Sequence, residues 1–296
     1  KKLVPYLLLV PQIVLIIIFL IGLITGITQS FGVIPAFGLR EPTLKYYKEI
    51  LMKPEIFQSV SYSLKIAFLS AAIATAGGVI LAGLCVSVRQ TSGLMMRIIQ
   101  MPIIVPHVVV AIFAVNICSQ NGILARIGYA LGLISDQQQF PLIIYDAHGF
   151  GIILAYVWKE LPFIVYFVIA LMANINGKLG EAARNLGAGK ICTFVKVTLP
   201  LCKETIISGF LIIFVFALGA YDLPFLLGAT TPKALPILAY QQYIHPNLEN
   251  RPYAMALNGV IICISMVSAV LYFAMLKKNV SYLAGKNHEE KKKINT

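Results

Sequence analysis

Residues 181–200 read Glu-Ala-Ala-Arg-Asn-Leu-Gly-Ala-Gly-Lys-Ile-Cys-Thr-Phe-Val-Lys-Val-Thr-Leu-Pro. This is a polar island between two long apolar runs. Leu179, Ala182, Ala183 and Leu186 recur at helical spacing, which predicts a short helix with one apolar face. Gly187 follows that face, where a helix end wants a residue tolerant of positive φ. A second face, Ile191, Phe194 and Val195, leads on to Pro200. Proline suits the first turn of a helix, because its missing N–H would have no partner there. The stretch therefore reads as helix, glycine turn, helix and a new apolar span.

The rest of the chain explains why such an island stands out. Of 296 residues, 58% are hydrophobic and only 12% charged, against about a quarter charged in soluble domains. The mean hydropathy is +0.83. Several apolar runs of about 20 residues or more can each cross roughly 30 Å of hydrocarbon. The expected spans are about 1–28, 60–88, 98–118, 149–171, 206–228 and 254–276. The first run is too long for a signal peptide and shows no clear cleavage site, so it is expected to be retained. Residues 30–58 form an external segment with a short helix near 43–52, and an amphipathic stretch covers 123–133. A basic tail, 277–296, follows the last span, and the composition of its final ten residues predicts disorder.

The loops set the orientation. With both termini on the inner side, fifteen of the 24 Lys and Arg residues fall on inner segments and seven on outer ones. Lys65 and Lys159 lie within spans. The positive-inside rule then accounts for the net charge of +12 without invoking nucleic acid. The five cysteines are scattered and mostly inside spans, so they read as small packing residues. No P-loop, catalytic triad or metal-ligand spacing occurs.

The island resembles a known family. Glu181-Ala182-Ala183, then Gly187, then Val197-x-Leu199-Pro200 is similar to the "EAA loop" of type I (MetI-like) ABC importer permeases. Val197 stands where isoleucine is usual. The resemblance covers residues 55–275. It implies an all-α membrane protein with six transmembrane helices and the MetI-like permease fold. Residues 1–58 would carry the first helix and the external segment, and 59–276 the five-helix core with coupling loop 172–205. It implies that Glu181, Ala182, Ala183, Arg184, Leu186, Gly187 and Pro200 seat in a groove on an ATP-hydrolysing partner. No catalysis and no cofactor are expected in this chain; ATP and Mg belong on two ATP-binding cassette subunits. A second permease chain, an extracytoplasmic binding protein and the lipid bilayer complete the implied partners, in a bacterial inner membrane with both termini cytoplasmic. An ATP-independent secondary transporter or channel would explain six spans but not this loop.

Candidate path residues are the polar groups within spans, because exposing them to lipid is costly. Lys159 and Glu160 fall near the middle of the fourth span. They read either as partners of neighbouring helices and snorkelling groups, or as part of a translocation path. His107 follows Pro102 and Pro106 in a span expected to kink; it is a packed histidine or a path residue. Asp222 beside Tyr221 is either an interfacial acid or an attractor of cations. Trp158 belongs to a Trp-x-x-x-Pro-Phe segment comparable to one in polyamine-type permeases. Tyr221–Gly228 also looks most like spermidine/putrescine permeases, and less like those for iron, thiamine or phosphonates.

Overall fold

The computed structural model describes the backbone of residues 4–294 and the side chains of residues 8–274. Lys1 and Lys2 of the expected first span lie outside the described residues, as do the side chains of the basic tail. Helices α1 (Val4–Ser30), α2 (Lys45–Leu51), α3 (Pro54–Ser87) and α4 (Leu94–Ile104) come first. They are followed by α5 (His107–Cys118), α6 (Ile123–Ala130) and α7 (Phe150–Ile175). Three short helices, α8 (Glu181–Asn185), α9 (Lys190–Thr193) and α10 (Leu199–Leu201), lead to α11 (Lys203–Gly219). The chain closes with α12 (Asp222–Leu227), α13 (Leu235–Tyr243) and α14 (Arg251–Ile294). Among the described residues, five helical stretches are long and apolar enough to cross a membrane. They are six if 190–201 and 203–219, bent by 68°, count as one span.

One compact unit comprises residues 1–60 and 234–263. Its core is Tyr46, Ile50, Ile56, Leu235, Ala239, Ala256 and Leu257. Tyr46 meets Tyr253 edge-on, with ring centroids 4.9 Å apart, and Tyr253 donates its hydroxyl proton to Glu49. Tyr47 donates to the Ser30 hydroxyl at 2.8 Å, which ties α2 to the end of α1.

The other unit comprises residues 61–233 and 264–296. Within it α3 comes close to α7. The small residues of α3 are what permit it: a Cβ at Gly78 would lie 2.6 Å from Ile164 Cβ and 2.9 Å from the Leu161 carbonyl. At Gly77 a Cβ would lie 2.8 Å from Leu161 Cδ1. Small residues that bring backbones together supply packing where lipid offers no hydrophobic drive between helices. Helix α7 begins where it does because Asp146 caps it. That carboxylate accepts from the N–H groups of His148 at 2.9 Å and Phe150 at 2.7 Å.

Three spans differ from the sequence expectation. The third is broken rather than kinked: α4 stops at Ile104, Val105 is extended (ψ 125°), and α5 restarts at His107. Pro106 is the cause, since a proline disfavours helical backbone in the residue before it. The fifth ends at Gly219 rather than 228. Ala220 is extended (ψ 138°), and Asp222 opens the separate short helix α12. The last helix runs on to Ile294, into the tail whose composition predicts disorder, because good helix formers such as Ala, Leu, Lys and Glu continue it.

Candidate functional site

The 176–201 stretch folds as a hairpin between α7 and α11. A π-helical turn, Asn176–Gly180, joins α7 to α8, and a second, Phe194–Thr198, joins α9 to α10. Gly187 takes the left-handed conformation expected of it, with φ +88°. Its N–H donates to the Arg184 carbonyl at 2.9 Å, and the Ala188 N–H donates to Ala183 at 3.1 Å. A Cβ on Gly187 would meet nothing within 4 Å, so backbone conformation alone selects glycine here. Pro200 lies in the first turn of α10, a helix of three residues, and not in the longer α11. The 68° bend between them separates proline from the span it was expected to open.

Side chains at the hairpin tip face outward. Leu186 is 90% exposed and Ile191 81%. Glu181 and Ala182 are exposed, with Ala183 and Arg184 half-buried. Glu181 Oε1 lies 3.5 Å from Arg89 Nη2, at the end of α3, and 4.0 Å from Arg184 Nη2. The inner face is anchored by Phe194, which fills the space a side chain at Gly83 would need: a Cβ there would lie 2.5 Å from its ring.

A second polar cluster lies at the break between α4 and α5. A helix end leaves backbone carbonyls without intrahelical partners. Here Lys159 supplies the donors. Its Nζ donates to the carbonyls of Pro102 at 3.3 Å, Ile103 at 3.2 Å and Val105 at 2.7 Å, while the residue is only 7% exposed. A cation at a helix C-terminus also complements the helix dipole. Neighbouring helix positions point about 100° apart. Glu160 therefore reaches the other side of the break, with Oε1 3.7 Å from His107 Nε2. That separation is an ion-pair distance and too long for a hydrogen bond, so the buried Nε2 has no hydrogen-bond partner. His107 also lies against Phe216, with ring centroids 5.3 Å apart.

One turn before Glu160, the Tyr156 hydroxyl is fully buried and likewise without a hydrogen-bond partner. Helix α12 packs against both α5 and α7. Asp222 lies in its first turn. Tyr221 stacks on Phe225 at 4.8 Å. The structure thus gathers His107, Glu160 and Asp222, and adds Tyr156. The sequence reading missed Tyr156; its spacing of four residues from Glu160 is the signal that places both on one face of α7. Trp158 is elsewhere. It lines an apolar groove with Val110, Phe113, Ile117 and Leu154, away from the polar cluster. Lys159 points to the backbone carbonyls of the break.

Comparison with known proteins agrees with this architecture. A family model described as "Binding-protein-dependent transport system inner membrane component" matches residues 74–282. The probable ABC transporter permease protein YurN of Bacillus subtilis is 26% identical over 94% of this chain and 97% of its own length. The spermidine/putrescine permease PotB of Salmonella typhimurium is also 26% identical, but over 44% of this chain and 46% of its own. Among solved structures, a chain of a bacterial alginate ABC transporter superposes with a TM-score of 0.75 at 18% identity. The match covers 93% of this chain and 94% of that one. The fold is the MetI-like permease fold, and the chain is a multi-pass membrane protein. It belongs to the inner-membrane components of binding-protein-dependent transport systems, the permease subunits of ABC importers.

Proposed function

We propose that the 176–201 hairpin is the joint through which ATP-hydrolysing subunits drive this permease. Leu186 carries the reading. Its apolar side chain, 90% exposed at the tip of the hairpin, is left for a partner to cover. Covering a leucine contributes about 1.5–3 kcal/mol. Ala182 and Ala183 are small enough for close approach, and Glu181 offers an acid at the start of α8. On this reading two ATPase subunits hold ATP and Mg, and this chain pairs with a related but different permease chain. An extracytoplasmic binding protein delivers cargo to the opposite face. Both termini are cytoplasmic in a bacterial inner membrane, in keeping with the distribution of Lys and Arg. ATP-driven closure of the ATPase pair moves the hairpins together and opens the spans outward; hydrolysis resets them.

For cargo we infer a small organic cation of the polyamine kind. The argument is electrostatic. The N–H donors of Lys159 go to three backbone carbonyls, so the lysine keeps its charge but has no N–H left to bind an anion. Asp222 is exposed and Glu160 is only partly compensated by His107. The partial match to PotB is in keeping with this, and the alginate transporter, built for an acidic polysaccharide, marks the opposite case.

Affinity purification of the assembled transporter tests the joint. Leu186→Asp and Glu181→Lys should release the ATPase while leaving membrane insertion and permease pairing intact. Retention of the ATPase with fully coupled hydrolysis in both variants would sink the proposal. For the cargo, thermal melting of the cognate binding protein should shift with putrescine or spermidine and not with an acidic oligosaccharide. The reverse pattern removes the cation reading.

A further inference from the structure

The inner side of the hairpin carries a feature that the joint does not use. Between the end of α3 and α9 lies a cavity of about 30 Å³, lined on its polar side by Ser87, Asn176, Arg184, Lys190, Thr193 and Thr198. Thr193 is 2% exposed, and its hydroxyl has no hydrogen-bond partner. A buried hydroxyl left unmatched is unfavourable, and a polar cavity above about 10–15 Å³ has room for a water-sized group, such as a single phosphate oxygen, to match it. Two cations border the space. Arg184 is fixed by its Nε–H, which donates to the Gly180 carbonyl at 3.3 Å. Its acid neighbour Glu181 is shared with Arg89. Lys190 has no ion-pair partner among the described residues.

Adjoining this cavity is an apolar groove of about 310 Å³. The two share Gly83, Ser87, Lys190 and Phe194, and the groove adds Ile80, Leu84 and Ile191. Ile80 and Leu84 are exposed on α3, a helix long and apolar enough to cross a membrane. Cationic pocket and apolar groove thus meet at the end of a span, where lipid headgroups lie.

We propose that the pair is a binding site for an anionic phospholipid. Its phosphate oxygens accept from Lys190, Arg184 and the Thr193 hydroxyl, and one acyl chain lies along Ile80, Leu84 and Ile191. Charge complementarity selects an anionic over a zwitterionic headgroup, since each basic residue near the membrane surface contributes about 1 kcal/mol. The groove selects a lipid over free phosphate. The proposal needs only that α3 spans the membrane, so it stands or falls apart from the coupling role of the hairpin tip.

Native mass spectrometry of the full chain with phosphatidylglycerol or phosphatidylcholine tests it. The wild type should retain phosphatidylglycerol on the order of tenfold better. Thr193→Val, which removes only the hydroxyl, and Lys190→Gln, on an exposed side chain, should each lower that retention severalfold. Ile191→Ser should weaken lipid retention without altering any response to inorganic phosphate in thermal melting. Equal retention of the two lipids, or retention indifferent to both Thr193→Val and Lys190→Gln, overturns the proposal. Stabilisation by inorganic phosphate alone, with Ile191→Ser without effect on lipid, would reduce the site to one for a free anion.

Discussion

At Val105 and at Gly187 the backbone leaves helix and soon re-enters it, and the two interruptions are completed in opposite ways. The first is finished inside the chain. The carbonyls of Pro102, Ile103 and Val105 at the break accept hydrogen bonds from Lys159 Nζ, 54 to 57 residues further on, and that lysine is only 7% exposed. The second is left open. Its turn is closed by short backbone hydrogen bonds, but Leu186 and Ile191 project with little to pack against. A break within a span has no water to satisfy it and must be completed by protein. A break outside one can leave its apolar side chains to another molecule. Similar interruptions in sequence therefore mark different duties.

Substitutions can separate the two, and the largest effect is expected at Gly187. Gly187→Val places a β-branched residue at φ +88°, where an ordinary side chain already costs about 1–2 kcal/mol. Uptake should fall more than tenfold, because the tip changes shape, while the melting temperature of the membrane domain hardly moves. Gly187→Ala should be milder, since the space around it is open. Equal uptake by the valine variant would remove the tip from the mechanism.

Lys159→Met should show the reverse pattern. Loss of the donors leaves buried carbonyls unmatched, and stability should drop by about 2–3 kcal/mol, read as an earlier thermal transition. Lys159→Arg should recover part of the loss. An unchanged transition with methionine would mean that the break is held by packing alone, and the contrast between the two interruptions would lapse.

The smallest effect belongs to Asp222→Asn, a change to an exposed acid. It should raise the apparent KM for a cationic cargo by on the order of twofold to fivefold, more at low salt, with assembly and basal ATP hydrolysis intact. No change in KM, or failure to insert, would assign Asp222 to structure.

The hairpin was legible because its signals are local. Apolar spacing over a few residues, one glycine and one proline are enough to draw helix, turn and helix, and Gly187 takes the conformation its place demands. What could not be read depends on residues far apart in sequence. Pro102 and Pro106 announce a disturbed span, but whether it bends or breaks turns on whether a donor waits elsewhere for the freed carbonyls. Lys159 is that donor, and adjacency to Glu160 gave no sign that the two serve opposite sides of one break. The short fifth helix was hidden by composition, because the apolar residues Leu223, Phe225, Leu226 and Leu227 carry the run on past its end. Tyr156 escaped notice as one more aromatic residue within a span. Trp158 stood out through its Trp-x-x-x-Pro-Phe segment, and it faces an apolar groove.

The seam between α3 and α7 has a mechanical meaning. At Gly78 an added Cβ would lie 2.6 Å from Ile164 Cβ and 2.9 Å from the Leu161 carbonyl, atoms that no side-chain torsion moves. Side-chain torsions elsewhere can absorb a small displacement by hopping between rotamers. Here there is no torsion to turn. The seam is therefore stiff in compression, and α3 and α7 behave as one strut. That strut meets the hairpin at two points, since α7 runs into the first π-helical turn and Arg89, just beyond α3, holds Glu181. A push delivered at Glu181 is met by both helices together, with little travel lost on the way.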